Sequence, residues 1–549
     1  MQMQFTENVR FLLESRYLLP GETPHELFQR VAGAVTPSKS QEFRRLMEDL
    51  LFLPNSPTLM NAGTGNGQLS ACFVLPIPDS IQGIFTALTH MALIHKSGGG
   101  TGFSFSHLRP RGDAVQDTQG VASGPISFMK VFDHATEAVK QGGRRRGANM
   151  GILTSSHPDI VAFIGSKLGG GLENFNISVA FDESFFRHLE RDEPYALVNP
   201  RDGAVWERVD AHRIWRALGE AAWRSGDPGV LFMDEINRKN TVPGLGEIEA
   251  TNPCGEQPLY PYESCNLGSI NLSHCLKEDE LDGELLTATV RLAVEFLDSV
   301  IDVNRFPVGD IRERTLLTRK IGLGIMGLAE TLILLDIPYE SEEALSFASH
   351  TMSHIQREAR AMSAELGEKK GSFPAIEKSI FKGDMRNATV TTLAPTGSLH
   401  LIAGTSSGIE PLFSLAYTRS INGRKFPFIN ERVMKRIEPY ANRRDILQEV
   451  ERSGSVERLS IPDEVKYLFR TALEISPEFH VRMQAAIQQH VDNAVSKTIN
   501  LPEKATVDEI SSLFSLARSL GCKGITVYRN NSKKDQVLSR GCEVCRVDS

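Results

Sequence analysis

The feature that most restricts the fold is an alternation that runs through the chain from about residue 70. Short apolar or β-branched runs give way to glycine- or proline-marked turns and then to stretches with helical spacing. Such alternation favours α/β architecture. Strand signals stand at 70–75, 103–106, 388–394 and 524–528. Helix signals stand in a segment capped by Asp79 or Ser80 and running towards Lys96, at 285–303, at 342–366 closed by Gly367, at 484–495, and in a segment capped near Thr506 that ends at Gly521. Ahead of these, Phe5, Val9, Leu12 and Leu13, then Leu27, Val31, Phe43, Leu46 and Leu50 predict a small helical region over residues 1–53. The small residues of 320–328 predict a close packing contact. No fixed-period repeat is present, which excludes a solenoid.

With 549 residues, 41% of them hydrophobic and 23% charged, the chain can build several domains or one large barrel-like α/β unit. A net charge of -8 counts against a general nucleic-acid binder, which needs clustered excess Lys and Arg. The N-terminus lacks the pattern of a signal peptide, and no apolar run reaches the ~18 residues of a membrane span. The expectation is a cytoplasmic protein with no membrane and no nucleic-acid partner. The seven cysteines, at 72, 254, 265, 275, 522, 542 and 545, are odd in number and dispersed, unlike a secreted disulfide framework. Thiols so placed are candidates for redox or catalytic work.

Four loops carry chemistry. Asn252-Pro253-Cys254-Gly255-Glu256 packs an amide, a thiol and a carboxylate into five residues, with Pro and Gly to fix a tight backbone. It reads either as a reactive tip or as a loop with one ordinary free cysteine. Ser97-Gly-Gly-Gly100-Thr-Gly102 lets backbone approach a phosphate or sugar closely, and it is not a Walker loop. Between Gln141 and Asn149, glycines flank three arginines including Arg146, either a solvated surface or an anion-sensing loop. Pro395-Thr396-Gly397-Ser398, followed by an apolar segment from Leu399, predicts a phosphate site with two hydroxyls and free N–H groups aimed at the anion. Residues 54–58 predict a further polar loop.

Taken together, Asn252-Pro-Cys-Gly-Glu256, Cys72, Cys265, the Pro395 turn and Ser406-Ser-Gly-Ile-Glu-Pro411 resemble the catalytic chain of ribonucleotide reductases, and among those the class II, adenosylcobalamin-dependent enzymes. Stretches 266–272, 492–501 and 523–529 match as well, and the resemblance spans residues 5 to 530. It implies a ten-stranded α/β barrel of two antiparallel five-stranded halves over 54–530, with Cys254 on a central finger loop. A flexible tail over 531–549 follows. By the same resemblance a Cys254 thiyl radical takes hydrogen from the ribose 3′ carbon, Glu256 serves as general base and Asn252 holds the sugar. Cys72 and Cys265 supply two electrons and become a disulfide. Ser56, Ala71, Cys72, Gly100, residues Asn252 to Glu256 and residues Pro395 to Leu399 hold the ribonucleotide. Asp79, Ser80, Arg109 and Arg146 fall where the family binds a deoxynucleotide effector.

One tyrosine only, Tyr528, stands where class I chains carry an adjacent pair, and no class III glycyl-radical motif is present. Adenosylcobalamin is therefore the implied radical source, with cobalt carried by the corrin and no other metal. No Asp-x-His-x-x-Gly motif marks its contacts. Cys542 and Cys545 read as a mobile dithiol that relays electrons from a thioredoxin-like reductant, or else as half of a zinc site. Cys275 and Cys522 default to buried structural thiols. A homodimer is implied, because no insertion of the kind that monomeric relatives carry follows Asp79. The alternatives are a reductase on the same barrel with a class I or class III radical source, and a non-catalytic nucleotide or redox sensor.

Overall fold

Three helices open the chain, Glu7–Arg16, Pro24–Val35 and Ser40–Glu48. Thr23 starts the second through a capping box with Glu26, which satisfies two otherwise orphaned N–H groups. Their apolar faces (Leu27, Phe28, Val31, Phe43, Met47) are fully buried in one core with the long helix Gly283–Val303. The computed structural model that shows this describes residues 5–115, 120–140, 147–421, 424–532 and 538–540. Among them, no helix is long and apolar enough to cross a membrane.

A ten-stranded sheet organises the rest. In chain order its strands are β1 (Phe52–Pro54), β2 (Cys72–Val74), β3 (Gly100–Ser104), β4 (Asn149–Thr154), β5 (Phe175–Phe181), β6 (Gly229–Phe232), β7 (Ser264–Asn271), β8 (Ile321–Met326), β9 (Thr498–Leu501) and β10 (Gly524–Arg529). Strands β2 to β6 lie side by side, each parallel to the next. Antiparallel seams bound this set on both sides, β2 against β7 and β6 against β10. Beyond the seams β8 runs parallel to β7 and β9 parallel to β10, while β1 pairs antiparallel with β7. The period-two alternation of strand side chains separates two environments. On β4, Met150 and Ile152 join a small cluster with Cys72, Cys265 and Leu259, whereas Leu153 joins an outer core with Phe103, Phe175 and Phe514.

Several local expectations change. The 388–394 strand forms isolated bridges only, Leu323 with Thr391 and Leu393 with Val495, so it links β8 to the approach of β9. The helix expected over 342–366 runs Glu342–Lys370, and Gly367 lies inside it. A Cβ there would fall 2.8 Å from the Met385 nitrogen, so glycine serves a close approach, and Gly371, at φ +85, ends the helix. The 484–495 helix is Pro477–Gln488; beyond it the N–H groups of Asp492 and Asn493 are drawn away to Thr391. Residues 54–58 enter a short helix, Ser56–Asn61, because the Asn55 carboxamide oxygen accepts from the Thr58 N–H at 3.0 Å. Near the C-terminus, Leu538–Arg540 pairs with Ala416–Ile421 in a separate three-stranded sheet.

Candidate active site

Ala250–Thr251 and Pro258–Leu259 pair antiparallel, and the reactive tip is the hairpin loop between them. The loop closes on Asn252. Its carboxamide oxygen accepts from the Gln257 N–H at 3.0 Å, its carbonyl accepts from the Gly255 N–H at 3.0 Å, and Gly255 takes φ +79, where glycine costs least. Neighbouring elements hold the loop through its carbonyls. Asn176 of β5 donates to Pro253 O at 2.8 Å, and Glu256 O accepts from Ala494 N at 2.9 Å and from the Thr392 hydroxyl at 2.8 Å. The glycines of β3 make room for it. A Cβ on Gly102 would stand 1.7 Å from Thr251 O, and one on Gly100 would press on Pro253 at 3.0 Å. At these two positions the glycines admit the protein's own hairpin, a use that the sequence alone does not distinguish from ligand approach.

Cys72 and Cys265 are register partners across the β2–β7 seam. The Asn252 amide donates to the Cys72 sulfur at 3.1 Å, and the Glu256 carboxylate lies 3.9 Å from the same sulfur. Cys265 is 1% exposed, and its thiol faces the Asn266 and Lys320 carbonyl oxygens, both at 3.5 Å. Burial pushes the Cys265 thiol well above the ordinary range; Glu263 and Glu256 add to the shift, and Lys320 opposes it. Lys320 is itself buried, paired with Glu263 at 2.7 Å and set over the Tyr260 ring. Cys254 is exposed at the tip, while Asn252 and Glu256 are buried. Two residues of the hairpin thus reach a thiol that is distant in sequence, and Cys254 rides on the same loop.

In the Pro395 turn, Thr396 sits at φ +49, in the left-handed region. Its hydroxyl oxygen accepts from the Gly408 N–H at 2.9 Å, so it is turned back onto the fold rather than aimed outward as expected. The Ser398 hydroxyl meets the Tyr17 hydroxyl at 2.5 Å, and Tyr17 meets Ser56 at 2.9 Å, so Ser56 and Ser398 converge on a buried phenol from the first helical segment. Sequence reasoning missed Tyr17. Its only signal is a polar-tipped aromatic among apolar residues, which also fits plain packing. Ala71 spends its N–H on Cys265 O at 3.1 Å, and its carbonyl accepts from Gly100 N at 2.9 Å, so its backbone is sheet structure. Leu399 is buried at the start of the helix Leu399–Ala403, and Gly397 faces open space.

Asp79, Ser80 and Arg109 lie together. Arg109 donates to Asp79 from its side chain at 2.8 Å and from its backbone at 3.2 Å, and Ser80 caps the helix Ile81–Lys96. Arg146, Cys542 and Cys545 lie outside the described residues. Cys275 and Cys522 are buried and pushed up to about 12 by burial, as suits structural thiols.

The family comparisons agree with this geometry. A family model described as "Ribonucleotide reductase, barrel domain" matches residues 70–384 and 375–528, and one described as "Ribonucleotide reductase, all-alpha domain" matches 3–67. The chain belongs to the ribonucleotide reductase family. A relative in Thermoplasma acidophilum, named vitamin B12-dependent ribonucleoside-diphosphate reductase, is 52% identical over 91% of this chain and 66% of its own length. A relative of the same name in Mycobacterium tuberculosis is 48% identical over 96% of this chain and 79% of its own. The Actinobacillus ureae class Id ribonucleotide reductase alpha subunit superposes with a TM-score of 0.81 at 24% identity, covering 96% of this chain and 97% of that one, which supports the fold. The all-alpha match runs to residue 67, past β1.

Proposed function

We propose that this chain reduces ribonucleotides to 2′-deoxyribonucleotides by a cysteine thiyl radical, with adenosylcobalamin as the radical source and ribonucleoside diphosphates as substrates. The observation that carries the reading is the Asn252 amide on the Cys72 sulfur at 3.1 Å, which joins the hairpin tip to the thiol pair. The cofactor and the diphosphate follow the names of the Thermoplasma and Mycobacterium relatives. When bound, adenosylcobalamin would supply a radical that accepts the hydrogen atom of a thiol and leaves a thiyl radical. Cys254 fits that chemistry, because its side chain is exposed while its neighbours Asn252 and Glu256 are buried.

The remaining steps belong to this chain's own residues. Cys254 removes the ribose 3′ hydrogen and later returns it. Glu256 takes the 3′-OH proton, and Asn252 hydrogen-bonds the sugar. Cys72 and Cys265 give up two electrons and two protons, the 2′-OH leaves as water, and a Cys72–Cys265 disulfide results. The raised Cys265 pKa suits this role, since it keeps the buried group as a thiol until it is needed. A dithiol, delivered through Cys542 and Cys545 or directly by a thioredoxin-like protein, then restores the pair. Ser56, Ala71, Gly100, Pro253, Gly255 and residues Pro395 to Leu399 bind the substrate, the turn holding its phosphates. Asp79, Ser80, Arg109 and Arg146 bind a deoxynucleotide effector. The working unit is a homodimer, for which the exposed stripe Ile81, Phe85 and Leu93 on the helix Ile81–Lys96 offers an apolar face.

The test is reduction of ribonucleoside diphosphates by the purified chain with a dithiol and added adenosylcobalamin, without a second protein. Cys254→Ser is expected to abolish turnover and retain nucleotide binding by calorimetry. Turnover by that variant overturns the radical assignment, and wild-type turnover without cobalamin overturns the cofactor.

A further inference from the structure

The stretch from Ser406 to Pro411 belongs to the family resemblance, yet no step above uses it. The structure ties it to the Pro395 turn by three contacts. The Ser407 hydroxyl donates to Pro395 O at 2.5 Å, the Gly408 N–H donates to the Thr396 hydroxyl oxygen at 2.9 Å, and the Ser407 and Thr396 hydroxyls lie 3.5 Å apart. At its far end the stretch is fixed as well. The Glu410 carboxylate accepts from the buried Lys497 ammonium at 2.6 Å and from the Thr498 N–H at the start of β9 at 2.7 Å. Gly327 N donates to Ser406 O at 2.8 Å, which fixes the near end.

The object held is strained. Thr396 is β-branched and sits at φ +49, a region such residues avoid, and that conformation persists only where its surroundings impose it. The next residue, Gly397, borders open space, with nothing within 4 Å of where a Cβ would stand. The strained residue therefore adjoins the part of the turn that a ligand can approach.

We infer that Ser407 is a positioning residue for the substrate's phosphates: through Pro395 and Thr396 it holds the turn in its left-handed form and so presets the backbone at Gly397 and Ser398. This rests on the proposed function, which makes that turn the phosphate-binding one. Ser407 itself is not placed against substrate. Its loss lets Thr396 relax towards ordinary backbone and disperses the turn's conformations, so binding weakens while chemistry on the bound substrate is spared.

Calorimetric titration of the full chain with a ribonucleoside diphosphate, without cobalamin, tests this. Ser407→Ala is expected to weaken binding about tenfold, the scale of one well-placed hydrogen bond, and in turnover assays to raise KM with kcat within about twofold. Ser407→Thr, which keeps a hydroxyl, is expected to bind as wild type does. Unchanged binding by Ser407→Ala, or binding by Ser407→Thr as weak as that of Ser407→Ala, overturns the inference. Failure of the wild-type chain to bind the nucleotide instead overturns the proposed function.

Discussion

The hairpin at 250–259 and the turn at 395–399 are held in opposite ways. The hairpin is gripped by its backbone: its carbonyls are taken up by Asn176, Thr392 and Ala494, and two glycines of β3 clear the space it fills. The turn is gripped by hydroxyl groups, those of Tyr17, Ser56, Thr396 and Ser407. On the proposed function, in which the tip carries a radical and the turn binds phosphate, the tip needs a fixed position and little chemistry in its supports. A phosphate-binding turn needs polar groups close by, and hydroxyls can serve as support and as solvation together. The hairpin is thus vulnerable to added atoms, and the turn to removed ones.

The largest expected effect comes from adding atoms at the hairpin. Gly102→Ala drives a Cβ into the Thr251 carbonyl, and the displacement is expected to cost on the order of 3 kcal/mol in denaturant unfolding and to abolish turnover. Wild-type stability and rate in that variant break the comparison. At the turn, Tyr17→Phe keeps the buried ring and removes the hydroxyl shared by Ser56 and Ser398. KM for the nucleotide is expected to rise about fivefold, the scale of roughly 1 kcal/mol, with kcat nearly unchanged; a fall in kcat at constant KM assigns Tyr17 to the hairpin's function instead.

The smallest effect concerns the thiols. Alkylation near pH 8, followed by peptide mapping, is expected to label exposed Cys254 long before buried Cys72, Cys265, Cys275 and Cys522. Cys275 and Cys522 keep their protons to about 12 in the folded chain. Because those folded values are raised, their contribution to stability is whole below the ordinary thiol range and is lost as pH climbs towards 12. Equal labelling of all five at pH 8 contradicts this picture.

The sequence made the candidate residues legible because their types and order along the chain carry the signal. Asn252, Cys254 and Glu256 sit in one short motif, and the helix caps at Ser80 and Thr506 are local events that the structure repeats. What escaped was set by distant partners. Gly367 reads as a stop signal, yet it makes way for the backbone of Met385. The 484–495 pattern is helical in period, but Thr391 captures the N–H groups of its last turn. Thr396 and Ser398 read as two outward hydroxyls, and only the three-dimensional packing shows that one faces Gly408 and the other Tyr17.

The seam between β2 and β7 has one more consequence. It is the boundary between two sets of parallel strands, and Cys72 faces Cys265 directly across it. If the pair is oxidised once per substrate, the molecule staples its own two sets of strands together in every cycle and unstaples them when the reductant arrives. Resistance to heat or to protease then becomes a clock hand, reading how much of the enzyme has just released product and is still waiting for electrons.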